Sequence, residues 1–240
     1  FSSPFDKTAV DFLETLNVPA YKIASFEITD IPLIEYVASK GKPIILSTGI
    51  AEQADIELAL DACKRMGNND IALLKCTSSY PAPIDEANMC MVKDLAERYN
   101  VISGLSDHTM GATVPIVATC FGAKIIEKHF ILDRSIGGAD ASFSMNEEEF
   151  TAMVKSVREA ESAIGKVDYA LTEKQAKGKD FSRSLYVVED MKVGDVITDK
   201  NVRSIRPGFG LHPKHYNEVL GKKVTHEVKK GERFKMDFIK

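Results

Sequence analysis

The 240-residue sequence predicts an α/β fold, and within that class a (β/α)8 barrel of the TIM type in preference to a doubly wound sheet. Continuous apolar runs recur through the first part of the chain, amphipathic helical patterns lie between them, and polar residues gather at the end of almost every run. The carboxyl ends of barrel strands share one face, so this distribution predicts a single polar mouth.

Five apolar runs are the predicted strands. They are continuous rather than alternating, which is typical of parallel strands covered on both faces. Their starts lie 23, 28, 30 and 22 residues apart, enough for a strand, a helix and two loops. The runs are AYKIAS (20–25), PIILST (43–48), IALLKCT (71–77), VISGLSD (101–107) and AKIIEKHF (123–130).

Helical spacing is clearest in two of the connecting segments. Before the third run, apolar residues recur at i, i+3, i+4 and i+7 from Ile56, and Gly67 supplies a C-terminal stop. After the fifth run, an apolar stripe begins at Phe150, and Asn146 with Glu149 forms a predicted N-cap with its reciprocal partner.

Five complete runs are too few for eight strands. FSSPF (1–5) is predicted to be the tail of one more strand, which leaves the barrel two to three strands short. We therefore expect the chain to be a fragment of a longer protein, with N-terminal strands missing from its barrel.

The composition of the chain changes after the fifth strand and its helix. The predicted division is a barrel domain over 1–165, a polar linker over 166–182 and a small β-rich domain over 183–240. Within the last of these, DMKVGD and EVKKGE form a weak internal repeat, with Gly194 and Gly231 37 positions apart. Between the two repeats, RPGFGLHP (206–213) is predicted to be a loop because it holds two prolines and two glycines.

Composition excludes some classes of partner. A net charge of −4 gives no electrostatic reason to expect nucleic acid, and no apolar run approaches the length of a membrane span. The four cysteines occur singly, which predicts buried, reduced thiols in a cytoplasmic protein rather than disulfides or a zinc framework.

His108 and His129 each close an apolar run, and one βα unit separates them. On adjacent barrel strands they would point into the same mouth, where two imidazoles suit a divalent ion such as Mn²⁺, Fe²⁺ or Zn²⁺. Water and substrate oxygens would complete the shell, which favours polarisation of a bound carbonyl. The alternative is a hydrogen-bonded histidine at each strand end.

Lys22 lies inside an apolar run, where an unpaired ammonium is costly to bury. It either reaches solvent or meets an anion at the mouth. Hydroxyls at the other strand ends favour a phosphate or carboxylate, and a Schiff-base lysine is the competing interpretation. These hydroxyls belong to Ser3, Ser25, Ser78 and Ser106.

Two carboxylates are candidate acids, bases or sugar-hydroxyl ligands. Glu27 follows the first run, and Asp140 ends DRSIGGAD (133–140), whose glycines are typical of a mobile active-site loop. For each carboxylate, a surface or loop role is the alternative.

Several motifs in order along the chain resemble the sialic acid synthase family. They are SSPF, YKIASFE, KPIILSTG, CTSSYP, GLSDHT, EKHF, GGADASFSM and IRPGFG. The resemblance implies an enzyme that joins phosphoenolpyruvate to an N-acetylated amino sugar and releases phosphate. It also implies a divalent metal, with Mn²⁺ favoured over Mg²⁺ or Co²⁺, and an antifreeze-protein-like (SAF) C-terminal domain swapped across a homodimer.

The resemblance assigns roles to residues at the matching motifs. Lys22, Glu27 and Asp140 would be catalytic, and His108 and His129 would be the metal ligands. Phosphoenolpyruvate would be held by Ser3, Lys22, Ser25, Ser78 and Ser106. The sugar would be bound by Glu27, Tyr80, Asp140, Phe181 and Arg206, with Arg206 supplied by the partner subunit.

Two departures bear on the acceptor sugar. Neuraminate synthases typically have Asn where this chain has Ser78, and GSGE where it has ASFE. Both favour the pseudaminate branch of the family, whose acceptor is 2,4-diacetamido-2,4,6-trideoxy-L-altrose. The alternatives are a neuraminate or legionaminate synthase, a Schiff-base aldolase using Lys22, and an inactive fragment that only binds sugar or dimerises.

Overall fold

Five parallel strands lie side by side, in the order of the sequence, in the computed structural model, which describes residues 1–239. They are β1 (Tyr21–Ile23), β2 (Ile44–Ser47), β3 (Ile71–Cys76), β4 (Ile102–Asp107) and β5 (Ile125–Lys128). A doubly wound sheet reverses its strand order partway, whereas this order runs in one direction, as in a barrel. Each predicted strand is confirmed within two residues at either end.

The sheet is strongly curled. In a flat sheet β1 and β5 would lie about 19 Å apart, because neighbouring strands are about 4.8 Å apart and side chains stand perpendicular to the sheet. Yet Lys22 Nζ on β1 lies 3.4 Å from Glu127 Oε1 on β5. The strands therefore wrap around a shared interior, and the first unit is a parallel half-barrel.

Alternation along the strands separates an outer from an inner face. Outer side chains such as Leu46 and Leu73, which the register pairs with each other, are fully buried in a core shared with the surrounding helices. A second outer cluster contains Leu105 of β4 with Ile126 of β5 packed against it. Residues between these positions face the interior, and Lys22 is among them.

Helices occupy the connections between the strands. They are α1 (Lys7–Thr15) before β1, α2 (Ile31–Ala38), α3 (Gln53–Arg65), α4 (Cys90–Tyr99), α5 (Thr113–Cys120) and, after β5, α6 (Glu147–Ile164). α3 ends as predicted, with Gly67 just beyond it at φ +78°, a left-handed conformation that glycine adopts without strain. Ser2 forms a parallel bridge with Tyr21, in agreement with the predicted strand tail.

α6 begins at the predicted cap. The Asn146 side chain accepts from Glu149 N at 2.9 Å, and the Glu149 carboxylate accepts from Asn146 N at 3.0 Å. The apolar stripe is less buried than its spacing predicts, since only Met153 is buried and Ile164 is half exposed. The stripe instead lines an open cavity of about 210 Å³ beside β5.

The chain divides into two units, Phe1–Lys166 and Val167–Lys240. The predicted linker contains the short helix α7 (Glu173–Gly178). Beyond it the second unit is small and β-rich, with antiparallel β6 (Ser184–Val187) and β7 (Val202–Ile205), several isolated bridges and the one-turn helix α8 (Tyr216–Val219). Its own core includes Leu185, Val202 and Phe234, all fully buried.

The weak internal repeat corresponds to two equivalent turns. Gly194 and Gly231 have φ +88° and +92°. In the first turn Asp195 accepts from the backbone N–H of Lys192, and in the second Glu232 accepts from that of Lys229, both at 2.7 Å. The apolar residues of the two repeats, Met191 and Val228, exchange backbone hydrogen bonds with each other. The repeat therefore builds a symmetric pair of turns.

The cysteine prediction is only half right. All four thiols are free, and Cys63 and Cys76 are buried, but Cys90 and Cys120 are exposed at the ends of α4 and α5. Their helices turn these positions away from the sheet. None of the helices within residues 1–239 combines the length and apolar character needed to cross a bilayer.

Replacement of Leu73 by alanine should destabilise the protein by about 2–5 kcal/mol, because the side chain is fully buried in the outer core and its removal leaves a cavity. Leu58→Ala is the matched control, since Leu58 is 54% exposed and its loss should cost under about 0.5 kcal/mol. Urea unfolding followed by circular dichroism measures both. Equal losses of unfolding free energy in the two variants would contradict the placement of Leu73 in the buried outer core.

Candidate functional site

The carboxyl ends of β3, β4 and β5 bring polar side chains together on the inner face. The register aligns Cys76 with Ser106 and Ser106 with Glu127, so these three side chains point into the interior. The next inner positions after β4 and β5 are His108 and His129, whose ring centroids lie 5.1 Å apart. The two histidines therefore share one mouth, as the sequence predicts.

Each imidazole is oriented by an acceptor at Nδ1. His108 Nδ1 lies 2.9 Å from the carbonyl oxygen of Thr77, and His129 Nδ1 lies 3.5 Å from Asp140 Oδ2. A carbonyl oxygen only accepts, so the neutral His108 ring carries its proton on Nδ1 and leaves the Nε2 lone pair free to bind a metal. The more distant Asp140 carboxylate is an ion-pair contact of His129 Nδ1 and favours the same tautomer there. This tautomer is the one a metal-binding histidine with a supporting partner uses.

The donor set fits a divalent ion, although it is small. Within residues 1–239 no three His, Cys, Asp or Glu side chains are grouped closely enough to hold a metal by themselves. Two imidazoles with open positions suit a borderline divalent ion whose remaining ligands come from water or substrate. The geometry agrees with a catalytic rather than a structural site.

The two histidines differ in acidity. Burial lowers the pKa of His129, and the neighbouring His108 lowers it further, against an opposing effect of Asp140. Burial also disfavours the charged form of His108, but hydrogen bonds to Cys76 and Thr77 outweigh it and raise the pKa of His108 above its ordinary value. His129 is therefore the neutral partner of the pair over a wider pH range.

Two serine hydroxyls converge on Gly49, which follows β2. Gly49 N donates to Ser25 Oγ at 3.1 Å. A Cβ added at Gly49 would lie 2.1 Å from Ser78 Oγ and 2.8 Å from Ser25 Oγ. Cys76 Sγ lies at the same point, 3.0 Å from that Cβ. The absence of a side chain at Gly49 thus lets both hydroxyls come close to its backbone, and we call these three residues the serine recess (Ser25, Gly49, Ser78).

Lys22 is an interior residue rather than a solvent-reaching one. Its side chain is 7% exposed, and within residues 1–239 it forms one ion pair, the 3.4 Å contact with Glu127. Glu127 also accepts a hydrogen bond from Ser106 Oγ at 2.7 Å. An ammonium, a hydroxyl and a carboxylate are therefore linked across the mouth.

Glu127 and Ser47 were not predicted from the sequence. Ser47 is 1% exposed, and its hydroxyl is one of two buried side-chain polar atoms within residues 1–239 that lack a hydrogen-bond partner. Both residues continue an inner row, Ser47 after Ile45 and Glu127 after Ile125. Period-two alternation back from His129 was the signal that could have found Glu127, whereas the face of Ser47 depends on the pairing of β2 with β1.

Glu27 supplies the other unpartnered atom, Oε2. It ends the short turn Ser25–Glu27 that follows β1. Burial raises the pKa of Glu27, with only partial compensation by Lys22 and its own backbone N–H. A carboxyl group with a raised pKa suits proton transfer.

Tyr80 and Asp140 border the histidines. The Tyr80 ring centroid lies 4.3 Å from that of His108. Asp140 sits on an exposed loop whose two ends are joined by Arg134, which donates to the carbonyl oxygen of Ser144 at 2.8 Å and contacts Glu149 at 2.5 Å. The predicted active-site loop is thus anchored at its base.

The remaining predicted residues lie elsewhere in the first unit or in the second. Ser3 is half-buried just after the bridge that Ser2 makes with β1. Phe181 and Arg206 are exposed residues of the second unit, and Gly208 N donates to Asp180 O at 2.9 Å, which brings their two loops together. A role for either residue at the histidine mouth stays a prediction.

A larger cavity of about 600 Å³ opens at the opposite, amino-terminal ends of the strands. Its walls are mainly aliphatic and include Ile45, Ile71 and Ile125, with Asp70 as its one titratable side chain. It offers no group of catalytic side chains. The chemistry of the interior is therefore concentrated at the carboxyl ends, as in other barrels.

Fold and site together define a (β/α)-barrel protein with a polar site at the carboxyl ends of its strands, followed by a small β-rich domain. The NeuB family model matches residues 1–169, and the SAF domain model matches residues 182–240. The chain belongs to the NeuB family.

Individual relatives agree with this membership. Pseudaminic acid synthase from Campylobacter jejuni subsp. jejuni serotype O:2 is 46% identical over 98% of this chain and 68% of its own length. N,N'-diacetyllegionaminic acid synthase from Legionella pneumophila is 34% identical over 96% of this chain and 66% of its own length. The crystal structure of spore coat polysaccharide biosynthesis protein spsE from Bacillus subtilis has a TM-score of 0.66 at 31% identity, over 100% of this chain and 73% of that one.

In the chelator-treated protein, NMR titration should show His129 losing its proton at a lower pH than His108. His108→Gln should raise the pKa of His129, because a neighbouring positive charge that disfavours its protonation is removed. A measured pKa of His129 equal to or above that of His108 would contradict the described electrostatics.

Proposed function

We propose that the protein joins phosphoenolpyruvate to an N-acetylated amino sugar, giving a nonulosonic acid and phosphate. The proposed acceptor is 2,4-diacetamido-2,4,6-trideoxy-L-altrose, so the product is pseudaminic acid. The main observation behind this proposal is that the serine recess and Lys22 lie in the same inner mouth as the two histidines, whose Nε2 atoms are free to bind a metal. Identity of 46% to a pseudaminic acid synthase supports the choice of acceptor.

The anion site would hold phosphoenolpyruvate. Lys22 provides a buried positive charge, and Ser25 and Ser78 provide hydroxyls beside the backbone N–H of Gly49. Charge-assisted hydrogen bonds of this kind suit phosphate and carboxylate. Ser47 and Ser106 on the inner face, and Ser3 next to β1, complete the proposed set. The unpartnered hydroxyl of Ser47 supports this, since a bound anion would supply its missing partner.

His108 and His129 would hold the divalent ion, with Mn²⁺ favoured and Mg²⁺ or Co²⁺ as alternatives. When bound there, the ion supplies Lewis-acid polarisation of the aldehyde of the open-chain sugar. The support is the pair of neutral tautomers that present Nε2 to the mouth.

The reaction then follows from the substrates' chemistry. C3 of phosphoenolpyruvate forms a bond to the aldehyde carbon, whose C=O π bond opens and becomes a hydroxyl group on protonation. Water adds at C2 and loses a proton, and the tetrahedral C2 expels phosphate as its hydroxyl becomes the ketone. Lys22 and the serines hold the phosphate as negative charge passes to it. Glu27, whose pKa burial raises, follows Ser25 in the same short turn and would accept the proton of the attacking water.

The acceptor sugar would lie over the histidines. Tyr80 packs against His108 and offers a flat apolar face, and Asp140 approaches His129 from the anchored loop. Together with Glu27 they present hydrogen-bonding groups for sugar hydroxyl and amide substituents.

We further propose the division into a catalytic barrel (1–165), a linker (166–182) and an SAF domain (183–240), with the last swapped across a homodimer. In that arrangement Arg206 and Phe181 of one subunit would complete the sugar site of the other. The rigid loop that holds Arg206 supports this, because Ser184 Oγ donates to Pro207 O at 2.7 Å and accepts from Gly210 N at 2.8 Å.

The Schiff-base alternative for Lys22 has less support. A nucleophilic lysine must present its nitrogen to a substrate carbonyl without a competing partner. Glu127 lies 3.4 Å from the Lys22 ammonium.

Phosphate release tests the proposed function. The protein, Mn²⁺ and phosphoenolpyruvate are combined with the altrose-configured diacetamido sugar, its legionaminate-pathway counterpart, or N-acetylmannosamine. Turnover should be fastest with the first sugar, and mass spectrometry should show a product equal to sugar plus pyruvate. Fastest turnover with another sugar would identify that sugar as the acceptor instead. No turnover with any of the three sugars would contradict the synthase assignment.

Gly49→Ala should raise the KM for phosphoenolpyruvate about ten- to hundredfold, because the new methyl group would collide with the Ser25 and Ser78 hydroxyls and displace them. The KM for the sugar should change little. Gly49 does not have a positive φ, so the backbone itself tolerates alanine. Gly41→Ala is the contrasting control, since a Cβ there meets nothing within 4 Å but its φ of +70° strains the backbone. That variant should lose stability and keep its KM values.

A further inference from the structure

A buried ion pair lies directly behind the two histidines, on the outer face of the sheet. Asp107 Oδ2 and Lys128 Nζ are 2.6 Å apart, and both side chains are 1% exposed. The register pairs Asp107 with Lys128, and each immediately precedes a histidine. Because successive strand residues face opposite sides, the ion pair is outside and the histidines are inside.

The Lys128 ammonium uses all of its donors on one stretch of chain. It donates to Asp107 Oδ2, to the carbonyl oxygen of Thr109 and, at 3.0 Å, to the carbonyl oxygen of Gly111. An ammonium has three donors, so its hydrogen-bonding capacity is filled. The stretch from Asp107 to Gly111 contains His108, while Lys128 is adjacent to His129.

Asp107 fixes the same turn from its other side. Its Oδ1 accepts from Thr109 N at 2.9 Å, and its Oδ2 accepts from Thr109 Oγ1 at 3.1 Å. The backbone is therefore held immediately before and immediately after His108. Among the described contacts, no other link joins the two histidine-bearing segments through buried charges.

Stability alone does not explain this arrangement. The surroundings are apolar, with Leu105 and Ile126 on the same outer face. Removing two charges from water costs about as much as their attraction returns, and apolar replacements of buried ion pairs are often neutral or stabilising. What an ion pair adds is a defined register and a defined turn geometry.

We propose that Asp107, Thr109 and Lys128 are positioning residues that hold His108 and His129 at the separation a divalent ion requires. We call the three residues the outer clamp. This inference rests on the proposed function, in which the two histidines bind that ion. The clamp touches neither substrate nor metal and acts only through the backbone of the histidines.

The test is the double variant Asp107→Asn/Lys128→Met, measured by titrating the protein with Mn²⁺ alone and following free Mn²⁺ by electron paramagnetic resonance. Both replacements are neutral and similar in size, and asparagine still accepts from Thr109 N, so no unpaired charge is buried. The melting temperature should stay close to that of the unchanged protein. The Kd for Mn²⁺ should rise about tenfold or more, the usual effect of losing residues that orient metal ligands.

A kinetic readout separates positioning from general damage. The double variant should lose kcat more than its KM for phosphoenolpyruvate rises, since Lys22 and the serine recess belong to or follow β1, β2 and β3, and only Ser106 of the proposed set adjoins the clamp. Lys42→Met is the control, because it breaks a 2.8 Å ion pair with Glu14 at the amino-terminal side of β2. It should leave the Kd for Mn²⁺ unchanged.

His108→Ala, titrated in parallel, distinguishes the two proposals. If it loses Mn²⁺ binding while the folded double variant binds within twofold of the unchanged protein, the clamp is overturned and the proposed function stands. If it binds Mn²⁺ normally, the metal role is wrong and the clamp is overturned with it. If the double variant does not fold, the Kd of Thr109→Val for Mn²⁺ tests the clamp instead. Loss of its hydroxyl bond to Asp107 should raise the Kd about three- to tenfold, and an unchanged Kd overturns the clamp.

Discussion

The pairing of β4 with β5 determines which groups meet in the interior. Ser106 is aligned with Glu127 and Asp107 with Lys128, which places the next residues, His108 and His129, beside each other. A shift of one residue would turn the histidine of one strand to the outer face and bring a charged residue inside. The oriented imidazoles, the Lys22–Glu127 contact and the Ser106 hydrogen bond all require this one register.

Curvature of the sheet is the second requirement. A flat sheet would leave Lys22 as an isolated buried ammonium, which is costly, and Glu127 without its cation. Wrapping brings the first and fifth strands within ion-pair distance. The interior can then contain the ion pair at one end and mainly aliphatic side chains at the other. This division keeps the polar groups where loops can reach them and the apolar groups where they only pack.

Much of this was predictable because parallel sheets repeat a simple pattern. Strand positions, the α6 cap and the shared mouth of the two histidines follow from apolar runs and strand ends, which are local signals. Glu127 and Ser47 were missed because attention to the residues that close each apolar run overlooks the inner-facing residues shortly before them. The exposure of Cys90 and Cys120 depends on how each helix is rotated against the sheet, which single cysteines do not specify. The convergence of Ser25 and Ser78 on Gly49 depends on curvature, and the sequence shows no trace of it.

The alternation of faces also gives a rule for interpreting natural sequence variation. On β4 the even-numbered positions line the interior and the odd-numbered ones meet the helices, while on β5 the assignment is reversed. A polar-to-apolar change at position 106 or 127 therefore alters the chemistry of the mouth. A change of similar size at position 105 or 126 instead alters core packing and, through stability, the amount of folded protein. Substitutions at two neighbouring positions can thus have different effects, one on catalysis and one on protein level, although they look alike in a sequence.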